Sequence, residues 1–330
     1  MKTIVFTLCS NNYLAHAKTL GDSIQTVCPD AEFIIGLVDE FHPEVDYNFF
    51  NPFEIIKYDQ IGFSCFEEML GNYNIIEFNT AVKPYFFSYL FKKYGEDTKI
   101  YYVDPDIVFY KGMEQLHEIL EVNNIVLTPM LTRPNLNVTT DELVALRHGM
   151  YNLGFIGAKY CEESIQFMEW WQGRLRRHCV IDKPRGLFVD QKWIDIAPLF
   201  FEGIKIFKHL GYNMAWWNFA ERKLVSIQGE YYVNDSNQEL VFFHFSGYKP
   251  GSNYYTGRVE KEEYLLTTLP ELRNLFDDYS ERLYKNDFEK LSKLKPLLAF
   301  ASAKTIPGTS GFGKAKKVLN RAIKALKRKL

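Results

Sequence analysis

The sequence has no closely paired cysteines and lacks any long apolar run, and each absence excludes a class of protein. The five cysteines are scattered, odd in number and never spaced as Cys-x-x-Cys; they are Cys9, Cys28, Cys65, Cys161 and Cys179. Such usage is typical of a reducing cytosol and argues against a zinc site. No stretch reaches the roughly 20 apolar residues of a membrane-spanning helix. The apolar run at residues 4–9 is too short for a signal peptide and predicts a first strand.

Net charge is also nearly absent, at −2 for 330 residues, but the charges are unevenly distributed. Residues 313–330 hold eight Lys or Arg and no acid, so subtracting 8 from −2 leaves −10 for residues 1–312. An acidic body argues against nucleic acid as the main partner. Apolar residues recur at every fourth position from Val318 to Leu330, which predicts an amphipathic helix. We expect this tail either to pack on the body or to lie on an anionic membrane surface.

Apolar segments of strand length alternate with segments of helical periodicity along most of the chain. Strands are predicted at residues 3–8, 32–38, 54–58, 99–103, 124–128, 152–158, 204–208 and 240–245, and helices at 14–27, 84–94, 162–178 and 190–201. Because strands that alternate with helices form a largely parallel sheet covered on both faces, the predicted fold class is α/β. Ligands of such sheets bind beyond the carboxyl ends of the strands. We therefore expect a site where strands 3–8 and 99–103 end.

The composition changes toward the end of the chain. A helical, charged segment begins at residue 260 or so, and residues 305–313 are rich in Gly, Pro, Ser and Thr. These changes predict a main α/β domain at 1–258, a helical C-terminal extension at 259–304, a linker at 305–313 and the basic amphipathic tail at 314–330.

Two carboxylates flank a proline after the buried strand at 99–103. Residues i and i+2 of a strand point to the same side, so Asp104 and Asp106 are expected to converge. Neighbouring carboxylates repel unless a cation neutralises them, which favours a divalent metal. The alternatives are a surface turn, which Asp and Pro favour, and the nucleophile motif of haloacid dehalogenases. The haloacid-dehalogenase alternative is weak, because no Gly-Asp-Gly-x-x-Asp motif follows downstream.

A second motif lies in "VFFHFSGYKPG", where an apolar strand ends in His244 and is followed by Gly247 and Lys249. A neutral imidazole is a good ligand for Mn²⁺-like ions beside carboxylates. Glycine permits a close approach of the backbone to a ligand, and a lysine can neutralise a phosphate. A lone histidine in such a strand is more often structural. The Asp-x-Asp upstream makes a functional role the favoured interpretation.

These motifs resemble those of metal-dependent glycosyltransferases with the GT-A fold. Four further segments add to the resemblance, in the order that the family has them: "TLCSNNYLAHAKTLGDSI", "TAVKPYFFSYL" with Lys83, "YNLGFIG" and "VDQKW". The resemblance is to the retaining family 8 and to bacterial lipopolysaccharide and capsule glycosyltransferases, and it covers residues 1–255 or so. It implies a Rossmann-like, mixed and mostly parallel sheet flanked by helices. The sequence departs from the family at Ser10, where an acid is frequent, and at Gly251, where the family has tryptophan.

The resemblance also implies roles for individual residues. Metal ligands would be Asp104, Asp106 and His244, binding Mn²⁺ or Mg²⁺. Donor contacts would come from Thr7, Ser10, Asn12, Tyr13, Lys83, Asp104, Asn152, Gly154, Gly247 and Lys249. Gln191 and Asp190 would lie at the reaction centre, with Gln191 near the anomeric carbon.

The implied reaction is transfer of a hexose from a nucleoside-diphosphate sugar, by resemblance UDP-linked, to a hydroxyl of a glycan, lipid-linked glycan or protein. The resemblance also implies that the configuration at the anomeric carbon is retained. One alternative is a non-catalytic protein that binds a sugar nucleotide or glycan on the same fold. Another is a nucleotidyltransferase, although the loop "TLCSNNYLAHAK" lacks the glycines that such an enzyme carries. We expect a cytoplasmic protein that the basic tail attaches peripherally to the inner face of the membrane.

Overall fold

The computed structural model describes residues 1–134, 140–235, 238–256 and 263–300. The strands are β1 (Lys2–Cys9), β2 (Glu32–Leu37), β3 (Glu54–Lys57), β4 (Thr98–Val103), β5 (Ile107–Phe109), β6 (Ile125–Pro129), β7 (Tyr151–Lys159), β8 (Ile181–Asp182), β9 (Leu187–Phe188), β10 (Ile204–Ile206), β11 (Leu224–Ile227), β12 (Glu230–Val233), β13 (Phe242–His244), β14 (Tyr254–Thr256) and β15 (Glu263–Leu265). The helices are α1 (Leu14–Val27), α2 (Phe66–Leu70), α3 (Ile75–Ala81), α4 (Lys83–Tyr94), α5 (Glu114–Val122), α6 (Thr140–His148), α7 (Glu162–His178), α8 (Gln191–Ile194), α9 (Pro270–Lys285) and α10 (Phe288–Leu291). Within these ranges, no helix has both the length and the apolar character needed to cross a bilayer.

A seven-stranded sheet in the order β10-β6-β7-β4-β1-β2-β3 forms the centre of the fold. Strand β7 runs antiparallel to both β4 and β6, and the other neighbouring pairs are parallel. Seven of the eight predicted strands make up this sheet, so the mixed, mostly parallel, Rossmann-like α/β fold is confirmed. The eighth, at 240–245, does not join the sheet. Its central part, β13, pairs instead with the short strand β5.

Helices cover both faces of the sheet because its strands are apolar on both sides. Along β1, Val5 and Cys9 pack with α1 in one core, while Ile4, Phe6 and Leu8 face the other. The second core is closed by aromatic side chains of α4 and α7. The carboxyl ends of β1 and β4 are thereby held at one edge of a rigid sheet.

The predicted helices agree with the structure except at one position. Helices α1 and α7 have the predicted bounds, and α4 begins one residue early with Pro84 in its first turn. The helix predicted at 190–201 ends at Ile194 and gives way to a 3-10 turn at Ala197–Leu199. Pro198 explains this, because its ring would clash with the carbonyl of residue 194 and its nitrogen has no hydrogen to donate.

The C-terminal helices share a core with the strand that carries His244. The ring of Tyr279 on α9 stacks on Phe245 with centroids 3.8 Å apart, and Phe276 contacts the same ring edge-on. Further along, the backbone N–H groups of Leu297 and Leu298 donate to the buried carboxylate of Asp39, at 2.8 and 3.1 Å. The predicted boundary at residue 258, the linker at 305–313 and the tail at 314–330 lie outside the described residues.

Candidate active site

The Asp-Pro-Asp motif forms the turn between β4 and β5. The N–H of Ile107 donates to the Asp104 carbonyl at 3.2 Å, and the hydroxyl of Tyr102 donates to Asp104 Oδ1 at 2.6 Å. The two carboxylates do converge, but not because they alternate along a strand, since β4 has ended at Val103. The tight turn brings the two carboxylates together. The predicted convergence of Asp104 and Asp106 is therefore correct, but the predicted cause, alternation along a strand, is wrong.

The histidine reaches the carboxylates through strand pairing. Strand β13 is antiparallel to β5 with His244 opposite Ile107, which places the imidazole beside the turn. Its Nε2 lies 3.0 Å from Asp106 Oδ1 and 3.7 Å from Asp104 Oδ2. One ligand atom from each of Asp104, Asp106 and His244 lies within 4.8 Å of the other two. Two carboxylates and an imidazole are donors that suit Mn²⁺, and the carboxylates suit Mg²⁺, so the residues fit the predicted cation.

Gly154 on β7 packs against the cluster of Asp104, Asp106 and His244, which we call the metal group because its residues could hold a cation. A Cβ at this position would lie 2.5 Å from His244 Cε1 and 2.8 Å from His244 Nδ1. The Gly154 carbonyl also accepts a hydrogen bond from the N–H of Asp104 at 2.7 Å. Glycine therefore allows the strand to pass close enough to support both Asp104 and His244.

A buried ion pair lies beside the metal group. Lys83 Nζ is 2.6 Å from Asp190 Oδ2 and donates to the Leu153 carbonyl at 2.8 Å. Nζ also lies 4.2 Å from the centroid of the Tyr102 ring, and the side chains of Lys83 and Asp190 are only 2% and 3% exposed. Burial raises the pKa of the Asp190 carboxyl, and the charge of Lys83 opposes that rise. The Lys83 ammonium group is thus already paired with a protein carboxylate, that of Asp190.

Gln191 is fixed by hydrogen bonds at both ends of its amide. Its Oε1 accepts from the N–H of Leu153 at 3.1 Å and from Asn152 Nδ2 at 3.4 Å, while Nε2 donates to the His148 carbonyl at 3.1 Å. Asn152 Oδ1 in turn accepts from Asn213 Nδ2 at 3.2 Å. Asn213 was not predicted from the sequence. It is fully buried, and its backbone is left-handed with φ +58°. Asparagine tolerates this backbone conformation, which is the only sequence signal that could have indicated the position.

Two adjoining cavities open on either side of the metal group. The larger, about 460 Å³, is lined by Ser10, Asn12, Tyr13 and the Asp-Pro-Asp turn, among others. The smaller, about 180 Å³, is lined by residues that include Lys83, Asn152, Gly154, Asp190 and Gln191. Asp104 and His244 belong to both walls, together with Ile76, Thr80 and Ser246. The ion pair and the amide network therefore lie on the smaller cavity, and the loop after β1 lies on the larger.

Three of the predicted site residues lie outside both linings as the structure describes them. Thr7 is buried within β1, with no hydrogen-bond partner for its hydroxyl among the described residues. Gly247 has φ +87°, as expected for a turn that needs glycine, and Lys249 is exposed on the same turn. Their roles in donor binding stay predictions.

The sequence also gave no signal for the residue that anchors the loop after β1. Asn11 Nδ2 donates to Asp39 Oδ2 and to the Glu40 carbonyl, each at 2.8 Å, and its Oδ1 accepts from Tyr47 at 2.6 Å. Every polar atom of the Asn11 side chain is therefore used internally. The neighbouring Asn12 lines the larger cavity instead. Its Oδ1 has no hydrogen-bond partner among the described residues.

Comparison with known proteins gives relatives of low identity. No protein-family model matches the chain. An uncharacterized protein of Bacillus subtilis strain 168, YfnD, is 24% identical over 254 residues, which cover 75% of this chain and 79% of the relative. Among solved structures, galactosyltransferase LgtC in complex with donor and acceptor sugar analogs has a TM-score of 0.48 and 14% identity, covering 89% of this chain and 97% of that one. Glycosyltransferase GlyE of Streptococcus pneumoniae TIGR4 has a TM-score of 0.46 and 14% identity, covering 89% of this chain and 66% of that one.

Both of these solved structures are glycosyltransferases, the class of protein that the motifs resemble.

Proposed function

We propose that this protein is a metal-dependent glycosyltransferase that moves a hexose from a nucleoside-diphosphate sugar, UDP-linked by resemblance, to a hydroxyl of a glycan, lipid-linked glycan or protein. The observation that carries the proposal is the position of Asp104, Asp106 and His244 at the junction of two cavities of unequal size. About 460 Å³ is within the range of small-ligand sites and suits a nucleoside. About 180 Å³, the space of about six water molecules, suits a single sugar. A diphosphate that joins the two would pass the metal group.

The three ligands would hold one Mn²⁺ or Mg²⁺ ion. When bound, such an ion stabilises the negative charge of the departing diphosphate as a Lewis acid. Lys249 is exposed, and no ion pair with it is found in the described part of the chain, so it is available to add positive charge to the leaving group. Lys83, predicted as a donor contact, would act through Asp190 instead, because it is paired with that carboxylate and fixes it under the sugar.

We propose retention of configuration without a covalent intermediate. A double displacement needs a free carboxylate at the anomeric carbon. Of the described residues that line the smaller cavity, the carboxylates are Asp104 and Asp190. The first belongs to the metal group and the second is held by Lys83 at 2.6 Å. This supports attack from the front side, with Gln191 and Asp190 close to the reacting centre.

Hydrolysis of a panel of nucleotide sugars, with and without Mn²⁺, tests the proposal. Mn²⁺-dependent release of sugar from at least one donor is the expected result. Tight binding without turnover, in the presence of acceptor extracts as well, would indicate the non-catalytic binding protein instead. Formation of a nucleotide sugar from a sugar phosphate and a nucleoside triphosphate would indicate a nucleotidyltransferase.

We further propose that residues 314–330 attach the protein to the inner face of the cytoplasmic membrane. The support is the sequence alone: eight basic residues and an apolar stripe at helical spacing. At roughly 1 kcal/mol for each cation near an anionic surface, the tail could hold the body there at low salt. Deletion of residues 314–330 is expected to abolish sedimentation with anionic liposomes and to spare donor hydrolysis. Sedimentation that survives the deletion would contradict the proposal.

A further inference from the structure

Tyr102, near the end of β4, is a buried tyrosine whose hydroxyl contacts a candidate metal ligand. The hydroxyl donates to Asp104 Oδ1 at 2.6 Å. The other oxygen of that carboxylate, Oδ2, lies 3.7 Å from His244 Nε2. The Asp104 backbone is held as well, because its N–H donates to the Gly154 carbonyl at 2.7 Å. One oxygen of Asp104 is therefore bound by the protein, while the other lies beside a second member of the metal group.

The ring of Tyr102 is held in place by its surroundings. The residue is 3% exposed, and Phe6 of β1 packs edge-on against the ring with centroids 5.2 Å apart. Lys83 Nζ lies 4.2 Å from the ring centroid and is itself paired with Asp190 at 2.6 Å. A hydroxyl on a fixed ring holds its acceptor in one orientation. Tyr102 therefore limits the rotation of the Asp104 carboxylate.

The number of oxygens that a carboxylate offers affects which cation a site prefers. Ca²⁺ takes about six to eight oxygen ligands and accepts carboxylates that offer one or both oxygens. Mg²⁺ is smaller and requires a nearly octahedral arrangement of its ligands. Mn²⁺ also binds in octahedral sites with carboxylate ligands. A carboxylate that is held so as to offer a single oxygen therefore disfavours Ca²⁺ relative to Mg²⁺ and Mn²⁺.

We propose that Tyr102 is a positioning residue that leaves only Oδ2 of Asp104 for a cation, and that it thereby makes the metal group prefer Mn²⁺ or Mg²⁺ to Ca²⁺. This inference rests on the proposed function and adds a residue that sets the choice of its metal. Tyr102 would act through Asp104 and would not bind the cation itself. The hydroxyl, and not the aromatic ring, is the group that carries the effect.

Direct titration of cations tests the inference without relying on turnover. Calorimetry on the full-length protein, with and without UDP, gives the Kd for Mn²⁺ and for Ca²⁺ in the wild type and in Tyr102→Phe. This substitution keeps the ring and removes only the hydroxyl. We expect it to weaken Mn²⁺ binding about 10- to 100-fold, the usual effect of losing a partner that orients a metal ligand. Ca²⁺ binding should weaken less, so that the preference for Mn²⁺ falls about tenfold.

Tyr101→Phe is the matched control. Tyr101 is the preceding residue of β4, is fully buried and packs in the core on the other face of the sheet. Its hydroxyl is hydrogen-bonded to His117 Nδ1 at 2.9 Å. The control therefore removes one buried, hydrogen-bonded hydroxyl from the same strand without touching the metal group. We expect both Kd values to stay unchanged in Tyr101→Phe, and urea unfolding checks that each variant is folded.

The outcomes separate this inference from the proposed function. A purely structural role of Tyr102 would weaken both cations equally, so an unchanged preference in Tyr102→Phe would overturn the inference and leave the proposed function standing. The wild type provides a second measurement that does not depend on the variant. It is expected to bind Mn²⁺ about tenfold or more tightly than Ca²⁺, and equal affinities would also overturn the inference. If the wild type binds no Mn²⁺, with or without UDP, the metal assignment and the inference are both wrong.

Discussion

Replacing Gly154 with alanine would test whether β7 positions the metal ligands. The added Cβ would lie 2.5 Å from His244 Cε1 and 2.8 Å from His244 Nδ1 and Asn152 Oδ1. Ordinary carbon contacts are about 3.5–4.0 Å, so the imidazole or the strand has to move by about 1 Å. His244 cannot move freely, because Trp217 packs against its ring and β13 is paired with β5.

Two separate effects are expected from this displacement. Overpacking typically destabilises a core by about 1–3 kcal/mol, and we expect a loss in that range in the free energy of unfolding. A misplacement of about 1 Å in a reacting assembly can reduce turnover about 100-fold. We therefore expect Gly154→Ala to weaken Mn²⁺ binding and to lower Mn²⁺-dependent donor hydrolysis by about that factor.

Gly157 on the same strand provides the matched control. A Cβ there would lie 2.6 Å from Tyr101 Cδ1 and 2.8 Å from Val126 Cγ1, a clash of similar severity that involves none of the metal ligands. Urea unfolding should show comparable destabilisation of Gly154→Ala and Gly157→Ala, while titration with Mn²⁺ should separate them. If both variants bind Mn²⁺ and turn over donor equally well, β7 does not position the metal group and the reasoning is refuted.

Three further predictions follow from the site. Asp106→Asn is expected to abolish most metal-dependent hydrolysis with little change in circular dichroism, and EDTA should do the same to the wild type; undiminished activity in either case would exclude the metal assignment. Lys83→Met leaves the Asp190 carboxylate buried without its partner and should destabilise the protein by about 3–5 kcal/mol at neutral pH, against about 1 kcal/mol or less for the exposed pair variant Lys93→Met. The folded-state pKa of Asp190 is already raised, and loss of Lys83 should raise it further. The penalty should therefore be small near the unfolded pKa of about 3.9, grow as the pH rises from there to the folded-state pKa, and stay constant above it, which urea midpoints at pH 4 and pH 8 would show. An early product formed from an α-linked donor should be α-linked by NMR, and a β-linkage would show inversion.

The sheet was predictable because its signals are local. Each buried strand is a short apolar run bounded by turn residues, and the runs at 3–8 and 99–103 need no tertiary information to be recognised. The pairing of β13 with β5 was not predictable in this way. Strand β5 has three residues, Ile107–Phe109, and nothing in its composition indicates that its partner lies more than 130 residues away.

The metal group was predictable from residue type, and the rest of the site only in part. Carboxylates and imidazole are side chains that can bind cations such as Mn²⁺, so Asp104, Asp106 and His244 could be grouped from the sequence as candidate metal ligands. Which polar groups satisfy one another depends on distances in space. The pairing of Lys83 with Asp190, and the fixing of Gln191 by backbone groups, join segments that are far apart in the chain. Through these contacts Lys83 and Gln191 also support the cavity wall, and their roles toward a ligand stay predictions.

The stacking of Tyr279 on Phe245 has a consequence for how the protein can be divided. Phe245 follows His244 directly, so the packing of α9 holds the histidine-bearing strand in register with β5. The contact of Leu297 and Leu298 with Asp39 ties the segment after α10 to the loop after β2, and Asp39 in turn accepts from Asn11 in the loop after β1. We therefore expect local unfolding of the C-terminal helices to displace His244, the candidate metal ligand on this strand. Under the proposed function, we expect the smallest catalytic unit to extend to residue 300 or so, and a protease that removes the C-terminal helices to abolish activity without cutting a residue of the site.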